Sequence, residues 1–290
     1  MDEEIKTANP LGYKKISKLL RSLAIPAIIA NLVNALYNVV DQIFIGQGIG
    51  YLGNAATNIA FPITTICLAI GLTLGIGGAS NFNLELGKGN PEKSKHTAGT
   101  AASTLIIIGI ILCITIRIFL EPLMISFGAT DKILQYSMEY TGITSYGIPL
   151  LLFSIGVNPL VRADGNARYS MIAIITGAVL NTILDPLFMF VFHWGIVGAA
   201  WATVISQVVS ASLLLIYFPR FKSVKFSLND FIPQIHYLKR IISLGFASFI
   251  YQFSNMIVLI TTNNLLKLYG AKSVYGSDIP IAVFGIVMKI

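Results

Sequence analysis

Long apolar runs broken by short polar stretches set the pattern of this chain. An apolar run of about twenty residues is long enough to cross a bilayer as a helix. Such runs fall at 22–46, 55–80, 97–116, 136–158, 170–192, 196–218 and 241–267, and an eighth begins near 280. The polar residues inside them recur at helical spacing: Asn34, Asn38 and Asp41 on the first, Gly177, Asn181 and Asp185 on the fifth, and Thr203, Gln207 and Ser210 on the sixth. The pattern predicts an all-α polytopic membrane protein in which three polar stripes wall a hydrated cavity.

Composition agrees with that class. The 290 residues are 55% hydrophobic and 11% charged, with mean hydropathy +0.75, whereas soluble domains carry about 25% charged residues. The net charge of +7 implies no nucleic-acid partner, because the basic residues cluster in alternate loops. Lys6, Lys14, Lys15, Lys18 and Arg21 precede the first run, and Lys88, Lys93 and Lys95 follow the second. Arg162 and Arg168 follow the fourth, and Arg220, Lys222, Lys225, Lys239 and Arg240 follow the sixth. The opposite loops hold Arg117, Lys132, Lys267 and Lys272, so the positive-inside rule places the N-terminus in the cytoplasm. The start, MDEEIKTANP, lacks the basic region of a signal peptide. Cys67 and Cys113 both fall in apolar runs, with no disulfide framework and no zinc spacing. His96, His193 and His236 fall in loops without partners at ligand spacing and are expected to be solvated.

The chemistry concentrates in two acids. A carboxylate at membrane depth costs roughly 2.5–3.5 kcal/mol on insertion scales and is by default a functional group facing the protein interior. Asp41 and Asp185 are both so placed. With the N-terminus inside, they and Thr203 share one depth near the outer face. Two neighbouring carboxylates cannot both stay ionised unless a proton or cation sits with them. Helix–helix hydrogen bonding, worth about 0.6 kcal/mol on average, is the structural alternative, and for Asn34, Asn38 and Gln207 it stands level with cavity lining. Pro26, Pro62, Pro149, Pro159 and Pro186 can each kink a helix. Pro186 frees the carbonyl of Thr182 beside the acids; packing suffices to explain Pro62 and Pro149. The run GLTLGIGGAS (71–80) predicts close helix approach and no nucleotide site.

The seventh run echoes the first: SLAIPAIIANLVNALYN (22–38) lies over SLGFASFIYQFSNMIVL (243–259), with Ser22 on Ser243, Leu23 on Leu244 and Asn34 on Asn255. Asp41 falls opposite Thr262, so the second copy lacks the acid. Six intervening crossings give both copies the same orientation. The second copy stops inside its second helix, and a longer protein is expected. The expected organisation is a cytoplasmic segment (1–21), a six-helix lobe (22–218), a basic cytoplasmic linker (219–240) and the opening of a second lobe (241–290).

The stretches IPAIIANLVNALYNVVDQIFIGQ (25–47), LGKGNPEKS (86–94), NPLVRADGNARYSMIAIITGAVLNTILDPLF (158–188) and GIVGAAWATVISQ (195–207) resemble the multidrug and toxic compound extrusion (MATE) transporters, most of all their bacterial and archaeal DinF-like branch. The resemblance implies one lobe and the start of the next in a twelve-helix fold of the MOP superfamily. It also implies a plasma-membrane antiporter, not an enzyme, exporting amphipathic, often cationic drugs against inward Na⁺ or H⁺. Matched residue by residue, it assigns cation binding to Asp41, Asn181, Asp185 and Thr203, including any bound Na⁺, with no cofactor. Asn158 and Tyr140 fall near positions joining that site to the drug cavity. Asn34, Tyr37, Asn38 and Gln207 complete the candidate cavity set, with Pro26 and Pro186 as hinges. A monomer is expected for the full-length protein. A lipid-linked oligosaccharide flippase of the same superfamily is an alternative, but its cavity should carry several basic residues, and here Lys and Arg sit essentially at the ends of the runs. An intramembrane aspartyl protease would need GxGD, and NTILD and YNVVD do not supply it. A non-transporting scaffold is the last alternative.

Overall fold

The computed structural model describes residues 15–288; Lys6, Lys14 and the expected terminal segment up to residue 14 lie outside them. Helix α1 (Ile16–Ile49) runs unbroken through Pro26. Gly50, at φ 86°, turns the chain within one residue into α2 (Tyr51–Gly87), a conformation open to glycine at little steric cost. Next come α3 (Pro91–Ile118), α4 (Leu120–Ser126), α5 (Asp131–Thr144) and α6 (Ile148–Ala163). They are followed by α7 (Ala167–Pro186), α8 (Gly195–Tyr217), α9 (Ile235–Gly270) and α10 (Asp278–Val287). Among the described residues seven helical segments are long and apolar enough to cross a membrane, α5 and α6 counting as one, and none forms a strand. This is a multi-pass, all-helical membrane protein.

The helices outrun the apolar stretches that predict them, with α2 continuing to Gly87 and α3 beginning at Pro91. Two features differ from expectation in kind. The short helix α4 lies in a stretch expected to be loop, too short and too interrupted by Glu121 and Pro122 to give a periodic signal. The fourth crossing is divided by a 3₁₀ turn at Ser145–Gly147, because Pro149 has no N–H to return to the Ser145 carbonyl. Pro149 also packs where Gly109 leaves room, so it both interrupts and packs. At the end of α7, Pro186 is followed by a π-helical turn, Leu187–Val191.

Helix α2 is the most buried crossing. Its glycine run lets neighbours approach to backbone contact: a Cβ at Gly75 would overlap the Gly156 backbone of α6, and one at Gly77 the Ile241 carbonyl of α9. At the other end of α2, Asn58 Nδ2 donates to Asn263 Oδ1 of α9 at 3.0 Å and to the Ile281 carbonyl of α10 at 3.1 Å. Carrying the pairing of Asn34 on Asn255 forward sets Ile49 on Gly270, the last residues of α1 and α9.

The segment after α8 is tied down. Buried Asp164, just past α6, accepts hydrogen bonds from Tyr217 Oη (2.8 Å), Lys222 N (2.9 Å) and Ser223 N (2.9 Å). Phe218, Phe221, Phe226 and Phe231 pack ring against ring with centroids 5.1 to 5.6 Å apart. Farther on, Asp230 holds the segment to the start of α3, with His96 Nδ1 at 3.3 Å and Lys95 Nζ at 3.7 Å. His96 is therefore partly buried against Asp230 and Tyr237, contrary to the expectation of a solvated ring. His193 and His236 are exposed.

Candidate functional site

Helices α1, α7 and α8 bring the sequence-predicted acids together. The carboxyl groups of Asp41 and Asp185 meet within hydrogen-bonding range. Asp185 is fully buried and Asn181 nearly so. Asn181 Nδ2 donates to Asp185 Oδ1 at 3.2 Å, the contact expected of residues one helical turn apart. Two acceptor groups at such range repel unless a proton or a cation lies between them. Among the described residues no protein donor reaches Asp185 Oδ2 or Asn181 Oδ1, both buried, so both are oriented to accept from something other than the protein. Their chemistry suits a proton or a hard cation, which prefers oxygen ligands.

Thr203 stands beside Tyr140 in the same neighbourhood, and both Tyr37 and Tyr140 lie close to the two acids. The Thr203 hydroxyl donates to the Ala199 carbonyl at 3.0 Å, so towards Tyr140 its oxygen acts as acceptor. A partner that the sequence did not single out is Gln42. It is buried, its Nε2 donates to Asp41 Oδ2 at 3.0 Å, and its Oε1 lies 3.1 Å from Thr57 Oγ1 of α2. Only its position next to Asp41 hinted at this role.

Beside the acids lies a cavity of about 270 Å³. Asn34, Tyr37, Asn158, Asn181, Thr203 and Gln207 reach its wall, whereas Asp41 and Asp185 do not: the acids sit behind Tyr37, Asn181 and Thr203. Tyr140 lines a smaller void of about 50 Å³ that shares Thr203 and Gln207 with the first. Asn38 is off the cavity wall and donates to its own helix at the Asn34 carbonyl, 2.7 Å. Asn158 is on the wall but engaged: its Nδ2 donates to the Ser170 carbonyl (3.2 Å) and its Oδ1 accepts from Ser170 Oγ (2.7 Å). Arg162, expected at the end of its span, also lines the cavity. Among the described residues no group of three or more His, Cys, Asp or Glu is gathered as a metal site.

Residues 26–187 match the family MatE. The chain is 25% identical over 276 residues to the multidrug export protein MepA of Staphylococcus haemolyticus (strain JCSC1435), covering 93% of this chain and 60% of that protein. Against MepA of Staphylococcus aureus (strain NCTC 8325 / PS 47) it is 26% identical, covering 95% and 60%. The chain thus spans about 60% of the length of these relatives. Among solved structures it resembles the MATE multidrug transporter DinF-BH, with TM-score 0.88, 35% identity and coverage of 98% of this chain and 62% of that one. It also resembles an inward-facing multidrug resistance MATE transporter of the MOP superfamily, with TM-score 0.80, 27% identity and coverage of 91% and 60%. The agreement of sequence, fold and helix arrangement is sufficient: the chain belongs to the MatE family.

Proposed function

We propose that this chain carries the ion-coupling lobe of a secondary active antiporter that exports amphipathic, often cationic compounds in exchange for Na⁺ or H⁺. The observation that carries the reading is the meeting of Asp41 and Asp185 with two partnerless buried oxygens beside them. The multidrug export function of the MepA relatives and of DinF-BH supports the substrate class. In this reading residues 22–218 are the first lobe, 219–240 the cytoplasmic linker and 241–290 the opening of the second. The protein is a plasma-membrane monomer with a cytoplasmic N-terminus and no cofactor.

The exchange follows from the chemistry of the pair. A proton or Na⁺ arriving from outside neutralises Asp41 and Asp185, with Asn181 and Thr203 supplying neutral oxygens. Neutralising the acids behind Tyr37 removes the field that favours a cationic compound in the cavity, so ion and drug disfavour each other by the same factor. Bending of α1 at Pro26 and of the α7 end at Pro186 supplies the moving parts. Helices with missing backbone hydrogen bonds bend there most readily. The test is dye export from vesicles, with pH and Na⁺ gradients imposed separately. Export that follows neither gradient would overturn the reading.

A further inference from the structure

One turn of α2 touches both the partner of the acid pair and the two helices that follow the linker. Neighbouring residues in a helix point about 100° apart, and Thr57 and Asn58 use that divergence. Thr57 turns to α1, where its hydroxyl lies 3.1 Å from Oε1 of Gln42, the residue whose Nε2 donates to Asp41. Asn58 turns to α9 and α10, donating from Nδ2 to Asn263 Oδ1 and to the Ile281 carbonyl. Gln42, Thr57, Asn58 and Asn263 are all buried, and a Cβ at Gly285 of α10 would overlap the Asn58 side chain. The titratable groups that face Asp41 are Asp185 of α7, Tyr37 of its own helix and Tyr140 of α5.

Both contacts have a second arrangement within reach. The Thr57 hydroxyl has one hydrogen to give and two acceptors in range, Gln42 Oε1 and, at 3.0 Å, the Asn54 carbonyl of its own helix. On the other side the amide pair is half made. The Ile281 carbonyl only accepts, which fixes the orientation of the Asn58 amide and, through it, that of Asn263. Among the described residues, Asn58 Oδ1 and Asn263 Nδ2 are then buried without partners. They are an acceptor and a donor on two groups already bonded to each other. Buried polar groups are ordinarily satisfied, so a shift of this turn that closes a reciprocal amide pair is favoured at that end.

We propose that Thr57 and Asn58 are positioning residues that carry ion binding at Asp41 and Asp185 to α9 and α10. With the acids charged, Gln42 gives its N–H to Asp41 and takes the Thr57 hydrogen on Oε1, which holds the turn against α1. An ion at the pair removes the charge that orients Gln42. The Thr57 hydroxyl then falls back on the Asn54 carbonyl, and the released turn lets Asn58 and Asn263 complete their second bond. This deepens the export reading, on which it rests, by naming the residues that transmit the arrival of the ion.

The experiment separates ion binding from its transmission and needs neither a gradient nor a transported compound. The protein sits in nanodiscs, and the probes are Na⁺ at fixed pH and H⁺ at fixed Na⁺. Infrared difference spectra read the carboxyl groups, with Asp41→Asn as the blank. Hydrogen exchange, corrected for its intrinsic pH dependence, reads the protection of residues 259–267 of α9 and 278–284 of α10. In wild type the ion that changes the carboxyl bands should raise that protection roughly two- to tenfold, the scale of one hydrogen bond. Thr57→Val should show the raised protection without the ion and no further response, and Thr57→Ser should restore the response. Asn58→Ala should stay at or below the ion-free level at every ion concentration. In both variants the carboxyl bands should still respond at saturating ion. A wild-type carboxyl response without a change in protection overturns the proposal and leaves the export reading standing. So does a wild-type protection response in Thr57→Val or Asn58→Ala. Carboxyl groups that respond to neither ion overturn both.

Discussion

Asn181 and Asp185 are joined at 3.2 Å along one face of α7, with Asn181 Nδ2 on Asp185 Oδ1, while Asp185 Oδ2 is buried with no hydrogen-bond partner among the described residues. One oxygen is thereby held by the protein, and in the proposed exchange the other takes the ion. Removing the acids tests this division. Asp41→Asn and Asp185→Asn should each insert and fold, since an amide keeps the shape and sheds the repulsion, and each should reduce ion-driven dye export to background. Gradient-driven export at wild-type rate by both variants would contradict the assignment.

The two acids and the helical faces they occupy were legible in the sequence because an ionisable residue in an apolar run is conspicuous and helical spacing fixes which residues share a face. What escaped depends on contacts between distant segments. Gln42 reads as one more polar residue near a helix end until Thr57 of α2 meets it. Arg162 reads as a basic residue at a membrane boundary, and only the packing of α6 against α7 and α8 turns it towards the cavity. Asp164 lies in a turn whose purpose is set by Tyr217, Lys222 and Ser223, all more than fifty residues later.

Gln42 offers a way to tell the coupling ions apart. Its amide N–H stabilises the charged form of Asp41, and a hydrogen bond to a charged group is worth about 1.5–3 kcal/mol, one factor of ten for each 1.4 kcal/mol. In Gln42→Leu a proton bound at the pair is held more tightly, so half-maximal export would be reached at a lower proton concentration. Sodium coupling shifts the opposite way, because the carboxylate loses the group that aims it and more sodium is required. Titrating export rate against each ion reads the sign; an unchanged midpoint for both would show that Gln42 has no part in coupling.

The glycine run of α2 makes a contrast available within one helix. At Gly77 an added methyl meets the Ile241 carbonyl, whereas at Gly87 it meets nothing within 4 Å. Gly77→Ala should cost about 1–3 kcal/mol of stability through overpacking. Gly87→Ala should be neutral or stabilising by about 0.4–1 kcal/mol, as the unfolded chain loses freedom. Thermal unfolding in detergent separates the two, and a Gly77→Ala melting point equal to that of Gly87→Ala would mean that α9 does not pack as closely as described.

Asp230 gives the linker an acid-sensitive fastening. Burial opposes its charge, but the Ser227 N–H at 2.7 Å, the Ser227 hydroxyl at 3.1 Å, and Lys95 and His96 nearby outweigh it and hold the carboxyl below its ordinary value. A carboxyl depressed in the folded state contributes stability above its unfolded value of about 3.9, and that contribution is lost as pH falls through the folded value. Protection of residues 227–234 from hydrogen exchange should therefore be constant at neutral pH and drop only below about pH 4, ahead of the bundle helices. Asp230→Asn should show the same loosening at pH 7, because a neutral amide oxygen accepts the two Ser227 hydrogen bonds more weakly than a carboxylate does and cannot attract Lys95. Full protection of that segment in the Asn variant at pH 7 would place the fastening elsewhere, with the phenylalanine cluster and Asp164 as the remaining anchors.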